Sequence, residues 1–220
     1  MSSNPLQREQ IVETARRLAE LGLVAGSDGN ISVRLDREEV LVTPSGHPFR
    51  KLIPESLVAV SLGALARTTG FRPTSELPMH LQIYRARPDI FAVVHTHAPY
   101  ATAFAAAGRD LDDGVLPELD VVVGRVASVK YATPGSTELA DKLAPFLPAH
   151  DAFLLANHGL VTIGRSLDEA VARHETVEHS AHILFLAYQL GGPEKLPEPE
   201  LNRLRELRAG TASDIGRETR

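Results

Sequence analysis

The chain has 220 residues, a mass of 23.8 kDa and a formal charge of -5, from 23 Lys and Arg against 28 Asp and Glu. That length favours one domain spanning 1–220, burying about 70% of the surface its unfolded form would expose. The absence of cysteine excludes a disulfide scaffold, a thiolate metal site and thiol catalysis, and no basic patch makes a nucleic acid the default partner.

The first segment predicts an amphipathic helix, with Asn4 as N-cap, Pro5 at the first helical position, and Ile11, Val12, Ala15, Leu18 and Ala19 on one face before Gly22. Short extended pieces follow at 30–35, 40–43 and 57–61, divided by turn residues at Asp28-Gly29, Pro44 to Gly46 and Pro54. A second helix is expected to open near Thr74 or Ser75, to carry Leu77, Leu81 and Tyr84 on one face, and to end at Pro88. Phe91 to Val94 then reads as a buried strand running into His95.

The second half repeats the alternation. A helix over 99–107 precedes strand-like runs at Val121 to Val123 and 127–131, and Ser136 opens another helix. Strands at 153–156 and 160–163 are joined by Asn157-His158-Gly159. Ser166-Leu167-Asp168-Glu169 is a capping-box pattern starting a long helix that runs to Gly191-Gly192-Pro193. Beyond it a short helix over 201–207 and a frayed tail are expected. Such irregular alternation predicts an α/β fold with a central, mostly antiparallel sheet. No apolar run approaches the roughly 20 residues of a membrane helix, and the N-terminus lacks a signal-peptide pattern, so a cytoplasmic protein with no membrane partner is expected.

Without thiols, any metal site must be built from imidazole and carboxylate, and the chain has nine histidines. His95 and His97 leave the same face of a strand end, with Cα atoms about 6.7 Å apart, a spacing that one ion bridges. His158, in a tight turn after another buried strand, is the natural third ligand, with Gly159 expected to let the backbone bend. Three histidines with an open position are the catalytic form of a zinc site. Glu175, His179 and His182 share a helical face with the same residue types, but nothing in the sequence around them suggests a cavity, and His174 belongs to the same long helix.

Glu76 stands at a helix start where Thr74 and Ser75 offer hydroxyls and backbone N–H groups to an anion, and where it is placed to act as a general base. The loops Ser27-Asp28-Gly29-Asn30 and Thr43-Pro44-Ser45-Gly46 have the small and hydroxyl residues of a phosphate cradle.

Six segments in order, GSDGNISVR (26–34), VTPSG (42–46), PTSELPMH (73–80), VVHTHAP (93–99), YATPGS (131–136) and NHGLVTIG (157–164), resemble the class II aldolase/adducin family of L-fuculose-phosphate aldolase and L-ribulose-5-phosphate 4-epimerase. The resemblance covers about 8–190, leaving 191–220 as a tail. It implies a three-layer α/β/α fold with a nine-stranded, mainly antiparallel sheet, and a homotetramer with active sites at subunit interfaces. It also implies Zn²⁺ on His95, His97 and His158, with Glu76 as catalytic acid/base. Asn30, Ser45, Gly46, Thr74 and Ser75 fall where the family holds the substrate phosphate. The implied reaction is retro-aldol cleavage of a ketose phosphate to dihydroxyacetone phosphate and an aldehyde through a metal-stabilised enediolate.

Two departures bear on that reaction. Fuculose-type aldolases use a tyrosine from a neighbouring subunit near the position of Pro117-Glu118-Leu119-Asp120-Val121 and another in the tail, and neither stretch contains one here. Asp120 falls where the 4-epimerase carries an acid/base aspartate and is the candidate second catalytic group. Asp28 places a carboxylate in the first phosphate loop. Alternatives are the family's 4-epimerase and 3-oxo sugar-acid phosphate decarboxylase chemistries, or a non-catalytic adducin-like module, for which loss of His95, His97, His158 and Glu76 would be the mark.

Overall fold

In the computed structural model, residues 4–63, 70–111 and 113–218 are described. Seven strands, β1 (Asn30–Arg34), β2 (Glu39–Val42), β3 (Val58–Ser61), β4 (Ala92–Thr96), β5 (Ala127–Val129), β6 (Ala152–Leu155) and β7 (Gly159–Gly164), form one sheet in the order β3-β2-β1-β4-β7-β6-β5. Every neighbouring pair is antiparallel except β5 with β6. Helices α1 (Pro5–Glu20), α3 (Pro99–Ala106) and α5 (Leu167–Gln189) cover one face; α2 (Leu77–Ala86) and α4 (Thr137–Leu143) cover the other. The period-2 alternation of each strand sorts the core between these layers. Ile31, Val33, Val94 and Leu154 face α1, α3 and α5, whereas Val93, Phe153, Val161 and Ile163 face α2 and α4.

The three-layer architecture is as expected, but the sheet has seven strands among the described residues rather than nine. Two segments show why. Residues 44 and 73 meet only in an isolated bridge, because both are prolines and lack the N–H a longer ladder needs. Leu119–Val123, strand-like in its valines, instead closes a turn of π-helix, with Gly124 N donating to Leu119 O at 2.8 Å. Its buried residues, Leu119 and Val123, are four apart, while Val122 is 41% exposed. Helical spacing of burial overrode β-branched propensity.

Three boundaries also differ from expectation. Asn4 occupies the N-cap of α1, but in a left-handed conformation (φ 65°) without a side-chain capping bond. Helix α2 starts at Leu77, since Thr74 and Ser75 form the preceding turn, in which the Thr74 hydroxyl accepts from Glu76 N at 3.2 Å. Beyond 193, α6 (Glu198–Glu218) is longer than the expected 201–207 helix. The chain leading into it is docked, with Leu196 N donating to Gly114 O at 2.8 Å. Among the described residues no helix is long and apolar enough to cross a membrane.

Candidate functional site

Strand β4 lies at the centre of the sheet, and its last turns deliver two imidazoles to the α2 face. His95 is fully buried between β1 and β7, and His97 follows the strand, half-buried, just before α3 begins. Helix α3 is held by Glu178 of α5, whose carboxylate accepts from Tyr100 N (3.0 Å) and Ala101 N (2.8 Å) and so fixes the chain leaving His97. His158 arrives from the β6–β7 turn. The left-handed residue of that turn is Asn157 (φ 55°), not Gly159. Gly159 matters for close approach: a Cβ there would meet Thr96 O at 2.6 Å, His97 Cδ2 at 2.9 Å and His95 Cε1 at 3.0 Å.

Each histidine offers one ring nitrogen, and the three nitrogens lie within 4.8 Å of one another. Glu76, at the N-cap of α2 and buried, faces two of the rings, with Oε2 3.0 Å from His95 Nε2 and Oε1 2.8 Å from His158 Nε2. Burial raises the Glu76 carboxyl, but His95 and His158 outweigh it and hold the group far below the usual carboxylate range. Burial likewise opposes charge on His95, and the Glu76 carboxylate more than offsets that, leaving His95 above its ordinary value. His97 is lowered by burial and by the neighbouring His95.

The hydrogen bonds on the far sides of the rings decide what these nitrogens are suited to hold. His95 Nδ1 lies 2.9 Å from Leu160 O, and a carbonyl only accepts, so Nδ1 carries a proton, and in the neutral form of the ring the lone pair on Nε2 is turned toward the cavity. That Nε2 sits 3.0 Å from Glu76 Oε2 yet makes no regular hydrogen bond, a buried nitrogen left without a partner where a cation would bridge it to the carboxylate. His97 Nδ1 lies 3.3 Å from Asp28 Oδ2, which leaves its Nε2 free in the same way. A carbonyl or carboxylate on the second nitrogen is the usual support of a metal-ligating imidazole. Two lone pairs and a carboxylate converging in a buried space call for a cation, so the donor set fits a divalent metal of the zinc type.

The cavity beneath these groups is about 210 Å³ and is also lined by Ser27, Asp28, Asn30, Ser45, Gly46, Thr74 and Ser75. All five residues expected at the phosphate therefore border the same space as Glu76 and the histidines. The Asp28 carboxylate does not point freely among them, because Oδ1 accepts from Ala25 N at 2.7 Å while Oδ2 faces His97. Asp120 is elsewhere. It accepts from Gly114 N at 3.0 Å and borders a separate cavity of about 760 Å³ beside α6, so within one chain it is not brought to the histidines. Burial raises its carboxyl.

The histidines of α5 include a correction. A cavity of about 820 Å³ does adjoin Glu175, His179 and His182, contrary to expectation. Yet His182 is stacked on Tyr100 with ring centroids 3.8 Å apart, and these side chains do not converge as the β4 histidines do. Size and chemistry thus disagree, and the converging donors make the smaller cavity the candidate site. His80 is a residue that sequence reasoning missed. It is fully buried and reaches Asn30, and its signal was its place four residues after Glu76 on one helical face.

Known proteins resemble the chain in both sequence and fold. The Class II Aldolase and Adducin N-terminal domain matches residues 9–185. A 5-deoxy-D-ribulose 1-phosphate aldolase of Bacillus thuringiensis serovar kurstaki is 35% identical over 204 residues, covering 90% of this chain and 93% of that protein. A 3-oxo-tetronate 4-phosphate decarboxylase of Pectobacterium atrosepticum is 36% identical over 190 residues, covering 84% and 87%. Among solved structures, an L-fuculose 1-phosphate aldolase superposes with a TM-score of 0.85 at 33% identity, over 94% of this chain and 96% of that one.

Proposed function

Because the chain belongs to the class II aldolase and adducin family and is a lyase of that family, we propose that it is a zinc-dependent, cytoplasmic aldolase acting on a ketose 1-phosphate and releasing dihydroxyacetone phosphate and an aldehyde. The observation that carries this reading is the convergence of His95, His97 and His158 on Glu76, with the outer nitrogens of His95 and His97 tied to Leu160 and Asp28. Zinc held by the three histidines would supply Lewis-acid stabilisation of the electron pair left when the carbon–carbon bond breaks. Glu76, kept ionised by its surroundings, takes the proton from the carbon next to the carbonyl or returns it there. Ser45, Gly46, Thr74 and Ser75 hold the phosphate and so fix the reacting carbon against the carboxylate. Similarity to the 5-deoxy-D-ribulose 1-phosphate aldolase supports a deoxygenated, less polar aldehyde end.

Cleavage also needs a group for the hydroxyl proton on the departing aldehyde, and among the described residues lining the cavity the other carboxylate, Asp28, is engaged by Ala25 N and His97. We assign that role to Asp120 of a neighbouring subunit in a homotetramer. Support for self-association comes from Leu21, Ile183, Phe185, Leu186 and Leu190, each at least 37% exposed. The same lack of a second acid favours one other reading, decarboxylation of a 3-oxo sugar-acid phosphate, in which departing CO₂ carries no such proton and a single carboxylate suffices.

Deuterium exchange into dihydroxyacetone phosphate in D₂O, followed by NMR, tests the aldolase reading without knowledge of the aldehyde. Exchange by the zinc-loaded protein is expected, with Glu76→Gln retaining zinc and losing about 10²–10⁴-fold in rate. CO₂ release from 3-oxo-tetronate 4-phosphate, with no release of an aldehyde from a panel of ketose 1-phosphates, would establish the second reading, which passes through the same enediolate and so shares the exchange. Full exchange after exhaustive metal removal would refute both.

A further inference from the structure

One fully buried titratable side chain has no part in the chemistry above. His80 projects from the second turn of α2 into the space between that helix and β1, with polar neighbours on both ring nitrogens: Asn30 Oδ1 at 2.5 Å from Nε2 and Ser32 Oγ at 2.7 Å from Nδ1. Asn30 in turn donates from Nδ2 to Glu76 Oε2 at 3.2 Å, and Ser32 Oγ lies 2.9 Å from Tyr84 Oη. Five side chains on one strand and one helix form a single file that ends on the proposed proton carrier.

The direction of every bond in this file follows from its end. An ionised carboxylate only accepts, so the amide nitrogen of Asn30 faces Glu76 and the amide oxygen faces His80. An amide oxygen also only accepts, so His80 carries its proton on Nε2. His80 Nδ1 is then a lone pair and takes the Ser32 hydroxyl proton, which leaves Ser32 Oγ to accept from Tyr84. The single Tyr84 hydroxyl hydrogen thus goes to Ser32, with Phe91 O at 3.3 Å as a weaker second branch. From Glu76 to Tyr84 each junction has one donor and one acceptor, and reversing a single link would set two lone pairs or two hydrogens against each other. Burial pushes the His80 imidazole down to about 3, in keeping with a ring that stays neutral.

We propose that His80 is a positioning residue of the active site: held as the neutral Nε2–H tautomer by Ser32, it fixes the Asn30 amide, which anchors one oxygen of Glu76 and leaves the other to meet the reacting proton. Residue 30 gains a role by this. Both polar atoms of its side chain are engaged by Glu76 and His80, so it orients the carboxylate, and a phosphate contact from this side chain is left to its second amide hydrogen. The inference rests on Glu76 as the proton carrier, and its tests separate the two.

Long-range ¹H–¹⁵N spectra of the zinc-loaded protein are expected to show His80 neutral with its proton on Nε2 from pH 5 to 9; an Nδ1–H tautomer or a charged ring in that range would overturn the proposal. In the exchange assay with dihydroxyacetone phosphate, His80→Leu is expected to lower kcat on the order of a hundredfold with KM and zinc content little changed. His80→Gln, whose amide N–H takes the place of Nε2–H, is expected to restore most of that loss. An unchanged kcat in His80→Leu, or a Gln variant no better than the Leu variant, refutes the positioning role. If the wild-type protein shows no exchange, it is the aldolase reading that fails, and the tautomer still decides the relay.

Discussion

Two fully buried histidines lie on opposite faces of the same strand, and they differ by one partner. His174 of α5 packs against the face of β4 that presents Thr96, the residue between His95 and His97. The Thr162 hydroxyl donates to Ala170 O, so it accepts from His174 Nδ1 at 3.0 Å, and His174 Nε2 takes the Thr96 hydroxyl proton at 2.7 Å. That ring is a neutral imidazole with nothing left to bind. His95 also donates from Nδ1, to Leu160 O, but its Nε2 meets a carboxylate where His174 meets a hydroxyl. A hydroxyl closes a buried imidazole, whereas a carboxylate leaves it open to a cation.

This contrast can be broken most severely at His95. His95→Ala is expected to lose both bound zinc, measured by elemental analysis of the purified protein, and turnover down to background. Zinc retained at one ion per subunit would mean the three histidines are not the ligands.

At His174 the loss should fall on stability. His174→Leu leaves the buried Thr96 hydroxyl hydrogen without an acceptor, at about 1–3 kcal/mol, and takes from Thr162 the second of its two bonds, at about 1 kcal/mol. Urea unfolding is expected to show a total destabilisation of about 3 kcal/mol while zinc stoichiometry stays that of the wild type. A variant that unfolds normally but loses zinc would erase the distinction between the two faces.

Asp28→Asn probes the outer support of the open face. It removes the negative charge behind His97, and zinc affinity by competition with a chromogenic chelator is expected to weaken about 10- to 100-fold. Unchanged affinity would show that Asp28 serves only its own turn, through Ala25 N.

The gentlest test is titration. Burial sets His174 at about 3, against about 6.5 for an unfolded histidine. Between those values the unfolded chain binds the extra proton, so this contribution is complete above about pH 6.5 and is lost as pH falls toward 3, by about 1.4 kcal/mol per pH unit. Stability measured from pH 7 to 4 should therefore decline less steeply in His174→Leu than in the wild type, and parallel curves would contradict a neutral buried ring.

Much of the site was legible in the sequence because its spacing is local. His95 and His97 share a face by the strand period, and a histidine in a tight turn after a buried strand is conspicuous. What supports them was not legible. Leu160 O, Thr96 and His174 meet across pairings 65 to 78 residues apart in the chain, which no local pattern encodes. The Val121–Val123 run failed for the opposite reason: its local propensity was clear, and burial of Leu119 and Val123 at helical spacing overruled it. The fold class survived such errors because it depends on which faces are apolar, and those alternate strongly in β1, β4, β6 and β7.

The bridge between Pro44 and Pro73 has a consequence for how substrate preference can change. Ser45 N donates to Arg72 O at 2.9 Å and Thr74 N to Thr43 O at 3.0 Å, so the two loops proposed to hold the phosphate are laced together and move as one body. A grip of that kind does not adapt piecemeal to a longer or bulkier head group. Under the proposal that Asp120 of a neighbouring subunit serves the aldehyde end, diversification for new sugars is channelled to its surroundings, the π-helical turn and α6 with the charged side chains of Asp113, Arg205 and Arg208. A library restricted to 113–126 and 195–208 should yield altered aldehyde preference with the affinity for the phosphorylated half preserved.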